Sequence, residues 1–123
     1  MHELVQFNVS SWMIGRQALG LRIDGELDVY TAPDVHQELA IVPPDVRYVL
    51  ADLTGLTFLD STGMATLLTA ARRLAMRRGT MVLIVDADSS VLRVLEVTGL
   101  DRYFEIREDY ESAASEFVGL ALH

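Results

Sequence analysis

Asp60-Ser61-Thr62-Gly63 sets a carboxylate, two hydroxyls and a glycine directly ahead of a helix-forming run that extends to Arg78. Two kinds of chemistry fit this tetrad. Ser61 or Asp60 can accept a hydrogen bond from an early helix N–H, a cap that contributes about 1 kcal/mol. A serine at a helix N-terminus also suits phosphorylation, because the free N–H groups and the positive dipole end receive phosphate readily. Gly63 allows close backbone approach by a partner. The tetrad alone leaves cap and acceptor both open. Hydrolysis fits poorly, since no Gly-x-Ser-x-Gly elbow surrounds Ser61. His2, His36 and His123 are scattered, two of them at the termini, so none is an evident general base. The tetrad also has one residue too many before its glycine for an aspartic-protease motif. Neither metal-ligand spacing nor a glycine-rich phosphate loop occurs, and no metal or cofactor is expected.

A second group with charge to offer is Asp24, Glu26 and Asp28. By type these are solvated turn residues at the end of a strand. In a mostly parallel sheet, however, the loops leaving the C-terminal ends of strands gather along one edge. That rule brings Glu26–Thr31 beside Asp60–Met64 and makes a mixed acidic and apolar patch (Leu27, Val29, Tyr30, Leu59, Met64) suited to a protein partner. Arg72, Arg73, Arg77 and Arg78 read as a solvated helix end, favourably placed at the negative end of the dipole.

The elements that position these residues follow from periodicity. Glu3–Trp12 and Ala18–Asp24 read as two strands of a hairpin, with Leu19, Leu21 and Ile23 alternating in the second. Thr31 is placed to cap a helix running to about Ala40, with Pro33 in its first turn and Val35 and Leu39 inward, and Pro43-Pro44 stops it. Arg47–Leu53 is a third strand, followed by a tight loop. The long helix, about Thr62–Arg78, carries Met64, Leu67, Leu68, Ala71, Leu74 and Ala75 on one face, and Gly79 ends it. Met81–Val85 is apolar throughout, as in a strand buried on both faces. A short helix from Ser89 or Ser90 to Thr98, a strand at Tyr103–Arg107 and a helix capped by Asp109 (Ala114, Phe117, Val118, Ala121) complete the chain. The alternation predicts an α/β fold: a mostly parallel mixed sheet with an N-terminal antiparallel hairpin strand and about four covering helices.

Composition narrows the class. The 123 residues suit a single domain over 1–123, and half are hydrophobic, enough for a core without staples. Cysteine is absent, which removes disulfides and thiolate chemistry. No apolar run of about 18 residues and no signal pattern occur, so a cytoplasmic protein with no membrane partner is expected. The net charge of −8 repels a phosphate backbone, so nucleic acid is not an expected partner. All ten basic residues are arginine.

Three ordered blocks resemble a known family. Gly25-Glu26-Leu27-Asp28 with Thr31-Ala32-Pro33, then Asp52 through Gly63, then Leu95-Glu96-Val97-Thr98-Gly99-Leu100-Asp101 are similar to the STAS-domain anti-sigma-factor antagonists. The likeness runs from about Leu19 to Glu111, in order and at the right spacing. It implies a STAS fold and a non-enzymatic partner switch. In such proteins the unmodified antagonist binds an anti-sigma factor that is also a serine kinase, which frees the sigma factor for RNA polymerase. The kinase phosphorylates the serine after the aspartate, here Ser61, and the modified antagonist lets go. A metal-dependent serine phosphatase restores it. The patch at the strand ends makes Glu26, Asp28, Tyr30, Thr31, Asp60, Ser61, Thr62, Gly63 and Met64 the expected partner-binding residues, on a monomer or weak dimer. Thr62 stands where many members have a second serine, making it the second candidate acceptor, and Met64 stands where many have leucine. Met1–Arg16, with Trp12, is less family-like and is placed to tune partner choice.

Electrostatics agrees with such a switch. Phosphorylation adds about −1.5 to −2 charges. Against one partner carboxylate at ~6 Å, the repulsion is roughly 1 kcal/mol in water and about 5 kcal/mol at an effective dielectric near 20. The alternative function is a non-catalytic STAS module, acting as a structural subunit or small-ligand sensor in a larger signalling or transport assembly.

Overall fold

The computed structural model describes residues 6–121. Leu4 and Val5 of the expected first strand, and the histidines His2 and His123, lie outside the described residues. Among the described residues there are six strands and four helices: β1 (Asn8–Met13), β2 (Ala18–Leu27), α1 (Ala32–Ala40), β3 (Tyr48–Asp52), β4 (Leu56–Leu59), α2 (Ser61–Met76), β5 (Thr80–Ile84), α3 (Ser90–Thr98), β6 (Glu105–Arg107) and α4 (Tyr110–Ala121). A 3-10 turn, Leu100–Tyr103, joins α3 to β6. The sheet order is β1-β2-β3-β5-β6, and β4 pairs with β2 off this path. β1 runs antiparallel to β2, and every other pairing is parallel. This is the expected mixed α/β sheet, with one strand more than the periodicity showed.

Side-chain alternation divides the core between the two faces of the sheet. On one face Leu19, Leu21 and Ile23 of β2, with Met81 and Leu83 of β5, pack beneath α1, α2 and α3 through Val35, Leu67 and Leu95. On the other, Leu50, Val82 and Ile84 meet Ala113 and Phe117 of α4. β5 feeds both clusters, which is why its sequence is apolar without interruption. Leu67, Ala71 and Leu74 fix α2 to the sheet, and each fully buried leucine contributes roughly 2 kcal/mol. Ala75, expected on that face, is exposed.

Several boundaries differ from the expectation for identifiable reasons. β2 does not stop at Asp24 but continues through Gly25, whose φ of 90° makes an irregularity in the ladder, to Leu27. Past that point β2 pairs with β4 instead of β3. Thr31 does not cap α1 with its side chain, because its hydroxyl is engaged by the preceding loop. At the end of α2 the left-handed residue is Arg78 (φ 60°), not Gly79. Arg78 N–H donates to Ala75 O and Gly79 N–H to Leu74 O, a Schellman closure with a non-glycine at C′. A Cβ on Gly79 would lie 2.3 Å from Arg47 O. Glycine is therefore required there by proximity to the backbone at the start of β3. Among the described residues no helix is long and apolar enough to cross a membrane.

Candidate functional site

β4 delivers the chain to the N-terminus of α2. Asp60 is the N-cap, extended at φ −102° and ψ −174°, and its Oδ1 accepts from Gly63 N–H at 2.9 Å. The first intrahelical bond runs from Met64 N–H to Asp60 O. Ser61 is thus the first helical residue. Of the two candidate caps, Asp60 and not Ser61 closes the helix. Ser61 is exposed and Thr62 half-buried. The N–H groups of Ser61 and Thr62 precede the first intrahelical bond, so they belong to the set that carries the positive end of the helix dipole.

Gly63 has a different role from the one its sequence context implied. It is buried, and a Cβ there would sit 2.7 Å from Leu27 O, 2.7 Å from Leu59 Cδ1 and 2.8 Å from Leu27 Cγ. The close approach it permits is to the end of β2 inside this chain. Leu27 O also accepts from Asp60 N–H at 3.3 Å. Together these contacts clamp the α2 terminus to the end of β2.

The loop after β2 is held by its own side chains. Asp28 Oδ1 accepts from Tyr30 N–H (2.9 Å), Thr31 N–H (3.1 Å) and the Thr31 hydroxyl (3.2 Å). Thr31 Oγ1 also donates to Glu26 O at 2.7 Å and accepts from Asp28 N–H at 2.9 Å. One hydroxyl proton serves both Glu26 O and the carboxylate, and the shorter contact is the one to Glu26 O. Asp28 and Thr31 therefore shape the loop, and what it shows to solvent is Glu26, Val29 (58% exposed) and Tyr30 (87%).

The rule of strand ends holds in space, since Leu27 and Leu59 are register partners in the β2–β4 pairing. Glu26–Thr31 and Asp60–Met64 consequently share one end of the sheet. Leu27 and Leu59 themselves are core residues at 0% and 5% exposure, not part of a surface patch. Met64 is half-buried against the core. Phe58, 48% exposed on β4, is the apolar surface residue that sequence reasoning missed. The signal was the Leu-Thr-Phe-Leu run between Gly55 and Asp60, four residues rich in strand formers.

The block ahead of β4 is a brace. Arg22 bridges Asp24 (Nη2–Oδ1, 2.9 Å) and Asp52 (Nη1–Oδ2, 2.8 Å). The hydrogen bond to Asp24, with help from Asp52, raises the Arg22 pKa above the ordinary guanidinium value. Asp52 Oδ1 accepts from Thr54 N–H and its hydroxyl, turning the chain toward Gly55. Gly55 lies against the Asp24 carboxylate, and its carbonyl accepts from Gly25 N–H. Asp24 is thus committed to the frame. His36, the one histidine among the described residues, has Nε2 3.3 Å from Thr66 Oγ1 on the second turn of α2. That hydroxyl also donates to Thr62 O at 3.0 Å.

A model of the STAS domain matches residues 14–113. The anti-sigma-B factor antagonist of Listeria monocytogenes is 36% identical over 86 residues, covering 69% of this chain and 75% of that protein. Among solved structures, an anti-sigma factor antagonist from Mycobacterium paratuberculosis superposes with a TM-score of 0.72 at 23% identity, covering 91% of this chain and 92% of the other. The antagonist SpoIIAA resembles it both in the unphosphorylated form (TM-score 0.68, 23% identity, 92% and 97% coverage) and, from Bacillus, in the phosphorylated form (0.66, 24%, 91% and 99%). The fold is therefore that of a known domain, and the chain belongs to the STAS-domain family.

Proposed function

We propose that this protein is an anti-sigma-factor antagonist whose unmodified form binds an anti-sigma factor with serine kinase activity, and whose release follows phosphorylation of Ser61. The observation that carries the reading is the division of labour at the start of α2. Asp60 supplies the cap, so the exposed Ser61 hydroxyl can be modified without removing the contact that starts the helix. The first-turn N–H groups tolerate the added phosphate, and the clamp through Gly63 keeps the site where it is. Glu26, Val29, Tyr30 and Phe58, exposed at the same end of the sheet, form the contact surface, with Asp28 and Thr31 holding the loop after β2.

In this scheme the phosphate acts by electrostatic exclusion at a rigid interface. It adds about −1.5 to −2 charges beside an already acidic loop, and a partner surface selected to match that loop must desolvate the new charge as well as repel it. A metal-dependent serine phosphatase completes the cycle. The names of the curated relatives support the antagonist reading; kinase, phosphatase and acceptor serine belong to the proposal. Incubation with the anti-sigma kinase and ATP, followed by mass spectrometry of wild type, Ser61→Ala and Thr62→Ala, tests it. One phosphate lost only in Ser61→Ala is expected. Phosphate that persists in Ser61→Ala and disappears in Thr62→Ala moves the switch to Thr62. No phosphate on either overturns the switch in favour of a non-catalytic structural or ligand-sensing STAS module.

A further inference from the structure

The two ends of the sheet are finished differently. β6, at one end, is three residues long and carries Glu105 and Arg107, which pair with each other while Arg107 also reaches Glu116 of α4. Short length and charge are common means of keeping an edge strand from pairing with another chain. β1, at the other end, has six residues, Asn8–Met13, none of them charged or proline. In sequence the uncharged stretch runs from Leu4 to Ile14, in a chain of net charge −8.

The register with β2 fixes which backbone groups of β1 are free. Ile14 N–H donates to Ala18 O, and the pairing continues through Trp12 with Gly20, Ser10 with Arg22 and Asn8 with Asp24. Antiparallel ladders alternate between residues bonded across the pair and residues whose groups point away. Val9, Ser11 and Met13 therefore turn N–H and C=O outward, and no backbone group of another described segment takes them. The strand is anchored on both faces. Trp12 lies over Gly20 with its Nε1 donating to the Tyr110 hydroxyl of α4 at 3.0 Å, and Ser11 Oγ donates to Glu38 of α1 at 2.9 Å. The free edge is thus held extended, with Trp12 37% and Met13 48% exposed beside it.

We propose that this edge pairs with β1 of a second copy, antiparallel about a two-fold axis at Ser11, so that two sheets become one. Ser11 then faces Ser11 of the second copy and Val9 faces its Met13, and each outward N–H meets an outward C=O. A two-fold contact of this kind closes on itself and makes a dimer. The second copy is the occupant that charge favours. Like charges directly opposite each other destabilise a strand pair, and along β1 two copies of this acidic chain meet without opposing any acidic residue of the strand. The same register sets Trp12 across from Ser10 of the second copy, at the close spacing where an aromatic ring covers its neighbour. A ladder of this length buries less than the roughly 1,200 Å2 of a standard interface. The dimer is therefore weak and concentration-dependent, and it forms independently of Ser61.

Sedimentation equilibrium of the whole chain, joined to amide hydrogen exchange by 1H–15N spectra in dilute and concentrated solution, tests this. A monomer–dimer equilibrium is expected, strengthened by added salt because salt screens the repulsion between two copies of charge −8. Exchange at Val9, Ser11 and Met13 should slow with concentration, while Ser10 and Trp12, already bonded to β2, change little. Ser11→Pro removes an outward N–H and leaves the β1–β2 bonds in place, so dimerisation should weaken by about tenfold or more with the circular dichroism spectrum retained. Ser61→Ala should dimerise like wild type. A monomer up to millimolar concentration, association weakened by salt, protection centred away from β1, or a folded Ser11→Pro that dimerises like wild type would each overturn the proposal. Should the proline disturb β1, the exchange pattern of the unaltered chain decides alone.

Discussion

Gly63→Ala is the substitution whose outcome depends most on how this site is built. In an ordinary helix, alanine at that position would stabilise by about 1 kcal/mol relative to glycine. Here the new methyl group would sit 2.7 Å from Leu27 O and Leu59 Cδ1 and 2.8 Å from Leu27 Cγ, short of a comfortable separation by roughly 1 Å. None of these neighbours can step aside cheaply. Leu27 is fully buried, Leu59 is its partner in the β2–β4 pairing, and the Leu27 carbonyl holds Asp60 N–H. Overpacking of this kind costs about 1–3 kcal/mol, and the rigidity of the surroundings puts it near the top of that range. Subtracting the gain in helix propensity leaves a net loss of ~2 kcal/mol. Urea unfolding followed by circular dichroism reads this directly, and for a domain of this size the midpoint temperature should fall by roughly 8 °C. A Gly63→Ala protein as stable as wild type, or more so, would refute the clamp between α2 and the end of β2.

Two further expectations concern stability. Asp60→Ala should lose about 1 kcal/mol through the missing cap, whereas Asp60→Asn should lose little because its side-chain oxygen still accepts from Gly63 N–H; equal losses in urea would contradict the assignment of the cap. At the far end of the molecule, hydrogen bonding to Arg107 holds the Glu116 carboxyl below its ordinary pKa, with the guanidinium correspondingly raised. A depressed carboxylate contributes stability above the unfolded pKa of about 4.3 and loses it as pH falls through the folded value. Glu116→Gln should therefore flatten the acid limb of a plot of urea midpoint against pH, and an unchanged limb would count against the pairing.

Much of this architecture was legible from the residues. β5 reads as doubly buried because Met81–Val85 alternates between two cores and both alternations are apolar. The α3 boundaries follow from Ser89, whose hydroxyl accepts from Leu92 N–H, and from Gly99 at φ 74°. The meeting of the Glu26 loop with Asp60 followed from the geometry of parallel strands and holds in the β2–β4 register. What local pattern could not deliver was set by tertiary contact. β4 is four residues long, and only its pairing with a β2 extended beyond Gly25 makes it a strand. The choice of Asp60 over Ser61 as cap is a matter of one residue's dihedrals. Asp28 and Thr31 look like surface residues by type, yet their side chains are spent within the loop. Gly63 and Gly79 are both required by a neighbouring backbone that the sequence does not show.

In the proposed switch, charge on Ser61 governs partner binding while the fold stays as it is. The most direct measurement is the affinity of one anti-sigma factor for the unmodified chain and for the same chain stoichiometrically phosphorylated on Ser61, by calorimetry at fixed ionic strength. A penalty of even 1.4 kcal/mol, well inside the repulsion of about 5 kcal/mol for a phosphate facing a partner carboxylate, is about tenfold in Kd. A loss of at least about tenfold is expected, with Ser61→Ala retaining the unmodified affinity and the phosphorylated chain keeping its circular dichroism spectrum. Equal affinities for the two forms, or a loss accompanied by unfolding of α2, would contradict the switch.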